Sequence, residues 1–309
     1  MKECKEKREL MKKEVAIIGA GPAGIAAAIQ LKRSNIDFLL FEKDQAGGLL
    51  KNAHRVENYP GFPNGIPGPQ MVSLLQEHLE TSGIIPLYET VTALEYLAEE
   101  QLFLITTTSS AHYSKVVIVA SGTSPRRINA LDALPLPLRE NIFYEILPII
   151  KERGKRVLII GSDDEAFDYA LNFGSYSNEV IIAIPGSAAK AVSRLIDNVA
   201  ANPRIVCSKN VEITGITAGN TKKLRIAFST RGERTSGEVD YLLVVAGREP
   251  QRVFYNPLLI TQAKDLKNAG RFYEIGDLVN GKYRQAAIAC GDGLRAAMKI
   301  AAQLRHPLT

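Results

Sequence analysis

The sequence predicts an α/β fold on parallel sheets, with one organisation used twice. Near residue 14 and again near residue 156, a five-residue apolar strand runs into a small-residue turn, a helix and a second apolar strand. Neither first strand alternates polar with apolar, which marks strands buried on both faces of a sheet. The length of 309 residues suits one or two domains with large cores, and 46% hydrophobic with 23% charged residues is a globular composition.

In the first copy, residues 14–18 form the strand. Gly19-Ala20-Gly21-Pro22-Ala23-Gly24 then spells G-x-G-x-x-G, residues 25–33 continue as a helix, and a strand at 38–41 ends at Glu42. Gly19 permits the tight turn. Gly21 lets a pyrophosphate approach the backbone, and Gly24 lets helix and strand pack closely. The helix start offers unpaired N–H groups and partial positive charge to phosphates. Glu42, eighteen residues after Gly24, stands where a carboxylate accepts ribose hydroxyls. This is the fingerprint of a Rossmann dinucleotide fold.

The chain continues through a glycine turn at Gly47-Gly48-Leu49 and a Pro/Gly-rich loop at 56–69 to an amphipathic helix at 71–82. Residues 84–88, 91–97, 102–107 and 113–119 read as strands. The last runs into Ala120-Ser121-Gly122, a turn small enough for backbone to pass close to a cofactor. Residues 128–155 are irregular and proline-rich, a passage into another domain. The second copy follows, with strands at 156–160 and 179–184 around a helix ending at Phe173, and further strands at 204–207, 211–217, 224–229 and 239–245. The last part holds a strand at 272–275, Gly276-Asp277 at its end, and a helix at 285–304 that spans ~30 Å.

Of the net charge of +5, residues 1–13 contribute +3, from six Lys/Arg against three Glu, and read as a solvated basic tail. Aromatics do not interleave with the basic residues, so no nucleic-acid partner is expected. The tail and the apolar run after it imitate a secretory signal, but cleavage would remove the glycine turn. The run is also too short and glycine-rich to span a bilayer, so a cytoplasmic protein without a membrane partner is expected. Cys4, Cys207 and Cys290 form no C-x-x-C, and His54, His78, His112 and His306 show no ligand spacing, so no metal site is expected.

Four stretches, in order, resemble the FAD-dependent pyridine-nucleotide oxidoreductases, specifically the low-molecular-weight thioredoxin reductases and the thioredoxin-reductase-like ferredoxin–NADP reductases. They are the opening turn with Glu42; Gly47-Gly48-Leu49 with Glu57-Asn58-Tyr59-Pro60-Gly61; Ala120-Ser121-Gly122 with Pro125-Arg126; and Gly276-Asp277 with Arg284-Gln285-Ala286. The resemblance implies two Rossmann-like, three-layer ββα nucleotide-binding domains. The FAD domain, residues 14–123 and 247–309, would be split around an inserted NAD(P)-domain-like stretch, residues 124–246, usually in a homodimer. It also implies that Gly19, Gly21, Pro22, Ala23 and Gly24 hold the FAD pyrophosphate and Glu42 the adenosine ribose. Gly48, Leu49 and Asn58 would flank the flavin, with Val91 near the adenine and Ala120 and Gly122 beside the nucleotide. Asp277, after Gly276, would bond the ribityl chain, and Arg284, Gln285 and Ala286 the flavin ring.

Two departures shape the expected function. Thioredoxin reductases carry C-x-x-C where this chain has Tyr144-Glu145-Ile146-Leu147, so thiol–disulfide exchange by that route is not expected. In the second copy, Asp163 stands where a nicotinamide-binding turn needs glycine, with Asp164 and Glu165 beside it. Carboxylates there complement the helix dipole and can cap its N–H groups. Two unit charges ~4 Å apart repel by about 4 kcal/mol at an effective dielectric near 20, roughly a thousandfold in affinity. Weak or absent NAD(P)H binding is expected, with electrons passing between flavin and a ferredoxin or flavodoxin. The alternatives are an NAD(P)H-dependent flavoprotein reductase of the ferredoxin–NADP reductase-like type, and a non-catalytic flavoprotein subunit or redox sensor. Cys290, five residues after Gln285, is a weak candidate for a redox role against the reading of a packed core thiol.

Overall fold

The computed structural model describes residues 12–176 and 178–305. Most of the predicted basic tail, with Cys4, and His306 lie outside the described residues. The chain divides into two compact units. One holds the described residues up to Lys51, Glu57–Thr123 and the stretch from Pro250; the other holds Asn52–Val56 and Ser124–Glu249.

In the first unit, β1 (Lys12–Ile18), α1 (Pro22–Arg33) and β2 (Phe38–Phe41) make a parallel βαβ unit, with Val15 opposite Phe38 and Ile18 opposite Phe41. A short 3-10 turn at Gly48–Asn52 and α2 (Gly68–Thr81) follow. Next come β3 (Val91–Leu97), β4 (Leu102–Thr107) and β5 (Ala111–Val119), paired antiparallel, and β5 also runs parallel to β1. β1 shows why its run is wholly apolar. Val15 and Ile17 enter one core with α1 residues Ile25 and Leu31, while Ala16 and Ile18 enter another with Phe41, Phe103 and Phe272.

The chain then passes β6 (Thr123–Pro125), the one-turn helices α3 (Asn129–Asp132) and α4 (Leu136–Arg139), and β7 (Ile142–Phe143). β8 (Arg156–Ile160), α5 (Asp164–Ser175), β9 (Glu179–Ile184), α6 (Ser193–Ala200) and β10 (Ile205–Lys209) repeat the strand–helix alternation. β11 (Val211–Ala218), β12 (Leu224–Thr230) and β13 (Glu233–Val239) form a separate antiparallel sheet, and β14 (Tyr241–Val244) rejoins the parallel one, whose order is β10-β9-β8-β14-β7. β15 (Arg248–Pro250) pairs with β6. Back in the first unit, α7 (Pro257–Asn268) leads to β16 (Phe272–Glu274), which pairs parallel with β5. A 3-10 turn at Gly276–Leu278 and α8 (Ala286–Arg305) complete the chain.

Three details differ from the sequence prediction. Residues 84–88 form no strand; Leu87 makes a single bridge to Phe41, and the next N–H that could continue a ladder, that of Glu89, turns back onto the Leu87 carbonyl at 2.9 Å. The predicted strand at 239–245 is two strands of different sheets, divided at Asp240, whose carboxylate and N–H both bond the Arg156 backbone. Helices α6 and α7 and strand β13 have no counterpart in the prediction; β13 reads Glu-Arg-Thr-Ser-Gly-Glu-Val, too polar to signal a strand.

α8 lies against α1 at a glycine. A Cβ on Gly293 would fall 2.1 Å from the Ala23 carbonyl oxygen, so Gly293→Ala is expected to destabilise the protein by about 1–3 kcal/mol. On the same helix, a Cβ on Gly291 meets nothing within 4 Å. Gly291→Ala is therefore expected to be neutral or stabilising by up to about 1 kcal/mol, as thermal melts of the two variants will show.

Candidate functional site

The glycine turn of the first unit is held from several sides. Gly19 N–H donates to the Phe41 carbonyl at 2.8 Å, and Gly47 N–H to the Ala20 carbonyl at 2.7 Å. Ala20 N–H donates to Glu42 Oε2 at 2.8 Å, and Glu42 Oε1 accepts from Asp44 N–H at 3.1 Å, so the buried carboxylate faces the turn.

The three glycines of the motif have separate causes. Gly19 has φ +103°, and a Cβ there would lie 2.5 Å from the Ala120 carbonyl oxygen. A Cβ on Gly24 would lie 1.9 Å from the Gly19 carbonyl oxygen. Both are therefore required by the protein's own packing. Gly21 is different. Its backbone is extended, with φ −77° and ψ −177°, and a Cβ would meet only the Gly48 Cα, at 3.9 Å. The protein leaves that space open, as a bound pyrophosphate requires.

Three other predicted residues, Gly48, Ala120 and Gly276, pack against this turn. A Cβ on Gly48, at φ +60°, would lie 3.0 Å from the Gly21 Cα, so the two turns lie backbone to backbone. Leu49 follows, half-buried. Ala120 continues β5, with its N–H on the Ile18 carbonyl at 2.8 Å, and Gly122, φ +67°, accepts from Gln251 N–H at 3.0 Å. Gly276 stands beside Ala23, where a Cβ would lie 2.9 Å from the alanine methyl, and half-buried Asp277 follows it. Asn58 Nδ2 donates to Gln285 Oε1, joining two predicted residues 227 positions apart. Arg284 is half-buried, and Ala286 opens α8. Ala289 is the first residue of α8 whose N–H meets the expected carbonyl, that of Gln285, at 2.9 Å, so the N–H groups before it face outward. Val91 belongs to the other core, with Phe41.

The sequence gives no hint of Asp292. It is buried on α8, its Oδ2 accepts from Gly276 N–H at 3.3 Å and Asn280 Nδ2 at 2.8 Å, and its Oδ1 accepts from Arg295 at 2.5 Å. A single acid inside an alanine-rich helix carries no spacing signal, yet it fixes the Gly276-Asp277 turn. Cys290 points its Sγ at the Pro22 carbonyl, 3.6 Å away. Burial pushes its thiol pKa up, against the hydrogen bond of Tyr59, so it stays a protonated, poorly nucleophilic thiol.

The corresponding turn of the second unit is built otherwise. Gly161 is again required by packing, since its Cβ would lie 2.7 Å from the Ala166 methyl. Asp163 occupies the N-cap of α5 without the predicted capping bond, and among the described residues its buried Oδ1 has no partner. Asp164 Oδ1 accepts from Val192 N–H at 2.8 Å, and the Ser162 carbonyl from Lys190 N–H at 2.6 Å, so the loop after β9 is tied to the turn. Arg248, with a side chain only 6% exposed, bonds Glu165 at 2.7 Å and Glu145 at 2.6 Å. Tyr169 OH reaches the same two carboxylates at 2.9 and 3.2 Å. Burial opposes the Arg248 charge, but Glu165 and Glu145 more than offset it and raise its pKa. Glu145 stands within the stretch where the resemblance places C-x-x-C.

The sequence matches the pyridine nucleotide-disulphide oxidoreductase family over residues 13–293. The chain belongs to this family. It is 30% identical over 297 residues to the thioredoxin reductase of Ureaplasma parvum, covering 92% of this chain and 94% of that one. The fold superposes on Lactococcus lactis thioredoxin reductase with a TM-score of 0.80 at 25% identity, covering 94% and 99% of the two chains. A bacillithiol disulfide reductase of Staphylococcus aureus shares the fold, with a TM-score of 0.74 at 20% identity over 95% and 99% of the chains. The protein is an FAD-dependent oxidoreductase of the thioredoxin reductase type, with two Rossmann-like domains. The open cradle at Gly21 fits its cofactor.

Gly21→Ala is expected to leave the unfolding free energy of the FAD-free protein within about 0.5 kcal/mol of wild type while weakening FAD at least tenfold in a fluorescence titration. Gly24→Ala is expected to lose both fold stability and FAD. In the second unit, Asp168 Oδ2 accepts His54 N–H at 2.8 Å. Burial, aided by the charges of Glu165 and Asp164, pushes its pKa from 3.8 up to about 7. The folded state therefore binds a proton that the unfolded state releases, so stability falls as pH rises from about 4 to about 7 and levels above. Unfolding free energies from urea titrations are expected to show a loss on the order of 3 kcal/mol between about pH 5 and pH 8 that Asp168→Asn does not share.

Proposed function

We propose that this enzyme passes electrons between its flavin and a small protein carrier, a ferredoxin or a flavodoxin, and that its second unit binds NAD(P)H weakly or not at all. In this reading the N–H groups of the turn from Gly19 through Pro22 and Ala23 to Gly24 receive the FAD pyrophosphate, with Gly48 and Leu49 opposite. Glu42, already oriented by Ala20 N–H, accepts the ribose hydroxyls, and Val91 lies near the adenine. Ala120 and Gly122 flank the nucleotide. Asp277, on a turn fixed by Asp292, holds the ribityl chain. Asn58, Arg284, Gln285 and Ala286 border the flavin ring, where the outward N–H groups of α8 favour negative charge. Bound FAD supplies chemistry that accepts electrons singly or in pairs. The protein's part is to hold and polarise it, and Cys290 takes no redox role.

The observation that carries the proposal is the contrast between the two turns. The first is open and lined by glycine. At the second, Asp163 stands in place of glycine, and Glu165, on the first turn of α5, is taken up by Arg248. A pyrophosphate there meets the carboxylates of Asp163 and Asp164 beside the helix start, so the residues present do not fit NAD(P)H. Family membership itself favours the alternative reading, an NAD(P)H-dependent reductase. A cytoplasmic homodimer completes the proposal; no helix among the described residues is long and apolar enough to cross a membrane.

Anaerobic stopped-flow on the FAD-loaded protein separates the two readings. The flavin is expected to stay oxidised with micromolar NADPH or NADH and to bleach with reduced ferredoxin or flavodoxin. Rapid bleaching by micromolar NADPH would sink the proposal.

A further inference from the structure

We infer that the turn at residues 279–285, leading into α8, is the docking surface for an acidic, one-electron carrier protein. The inference rests on the carrier reading above and adds where the carrier sits.

The turn exposes apolar side chains close together in the chain. Tyr283 is 65% exposed, Val279 44% and Ile288, on the first turn of α8, 42%. Along this stretch of chain, between Asp277 and Asp292, the charge has one sign. From Leu278 to Gly291 the sequence holds Lys282 and Arg284 and no carboxylate. Neither cation makes an ion pair among the described residues, whereas Lys267 and Arg295 nearby in the chain each pair with an acid. Lys282 Nζ lies 5.1 Å from the centre of the Tyr283 ring.

The surface is also held in shape. Tyr283 N–H donates to the Asn280 carbonyl at 2.9 Å, the Asn280 side chain is bonded at 2.8 Å to buried Asp292, and Gln285 is bonded by Asn58. A partner would therefore spend little free energy ordering it. An exposed tyrosine amid unpaired cations is the composition of an interface whose centre is aromatic and whose rim selects an acidic partner. Like-signed surface charge of this kind also steers encounter. The turn ends at Gln285 and Ala286, which border the flavin ring in the reading above, so a carrier seated here delivers at the flavin. Each docking oxidises one carrier by one electron. Two dockings supply the pair that reduces the flavin, with protons drawn from solvent.

The test uses FAD-loaded protein, an acidic ferredoxin as probe, and the variants Lys282→Glu and Tyr283→Ser. Calorimetric titration measures binding, stopped-flow measures reduction, and light scattering measures mass. Lys282→Glu is expected to weaken ferredoxin binding at least tenfold in low salt, with the difference shrinking as salt rises, and Tyr283→Ser to weaken it about tenfold at any salt. FAD content and mass should not change. If wild type is reduced by ferredoxin but both variants bind it as tightly, the surface is misplaced while the carrier reading stands. If the variants turn a dimer into a monomer, the patch is covered by a second copy and the inference fails. If wild type is not reduced by ferredoxin at all, the carrier reading falls and takes this surface with it.

Discussion

The first unit depends on backbone approaching backbone without intervening side chains. Gly24 sets the start of α1 against the carbonyl of Gly19, Gly19 sets the turn against Ala120, and Gly293 sets α8 against Ala23. The close seating of α1 on the sheet and of α8 on α1 brings the start of α1, the end of β5 and the Gly276 turn together. Segments far apart in the chain thereby surround one small volume with N–H groups and no bulk. The cost is rigidity of sequence: each of these glycines lacks room for a methyl group, and Gly19 and Gly276 also have positive φ.

The same βαβ architecture carries opposite electrostatics in the second unit. There the start of the helix is flanked by Asp163, Asp164 and Glu165, and the compensating charge comes from Arg248, the first residue of β15. Fold similarity alone would assign both turns one job. The residues at the two helix starts nonetheless differ, glycine at the first and Asp163, Asp164 and Glu165 at the second.

Much of this was legible in the sequence because its signals are local. The parallel strands β2, β8 and β14 are nearly unbroken apolar runs, and β1 and β8 appear near the predicted positions. The glycine spacing located the first turn, and Asn58 and Gln285, singled out by resemblance, meet in the structure. What escaped depends on tertiary context. β13 is polar because most of that strand is exposed, and residues 84–88 look like a strand although Glu89 N–H turns back onto the Leu87 carbonyl and ends the pairing at one bridge. Asp292 and Arg248 escaped for a common reason. Each is one charged residue in an unremarkable stretch, and its importance arises from partners 16 and 103 positions away. The predicted acidic cap failed because Asp163 adopts the cap backbone without turning its carboxylate onto the helix.

The enclosed guanidinium of Arg248 has a consequence for how this sequence can change over time. Removing it alone leaves two partly buried carboxylates without their cation, and removing either acid alone leaves a buried cation under-compensated. Each single step leads downhill in stability, though a coordinated exchange of all three need not. The cluster therefore behaves as a ratchet: whatever ancestral state preceded it, drift by isolated substitutions is barred from retracing the route.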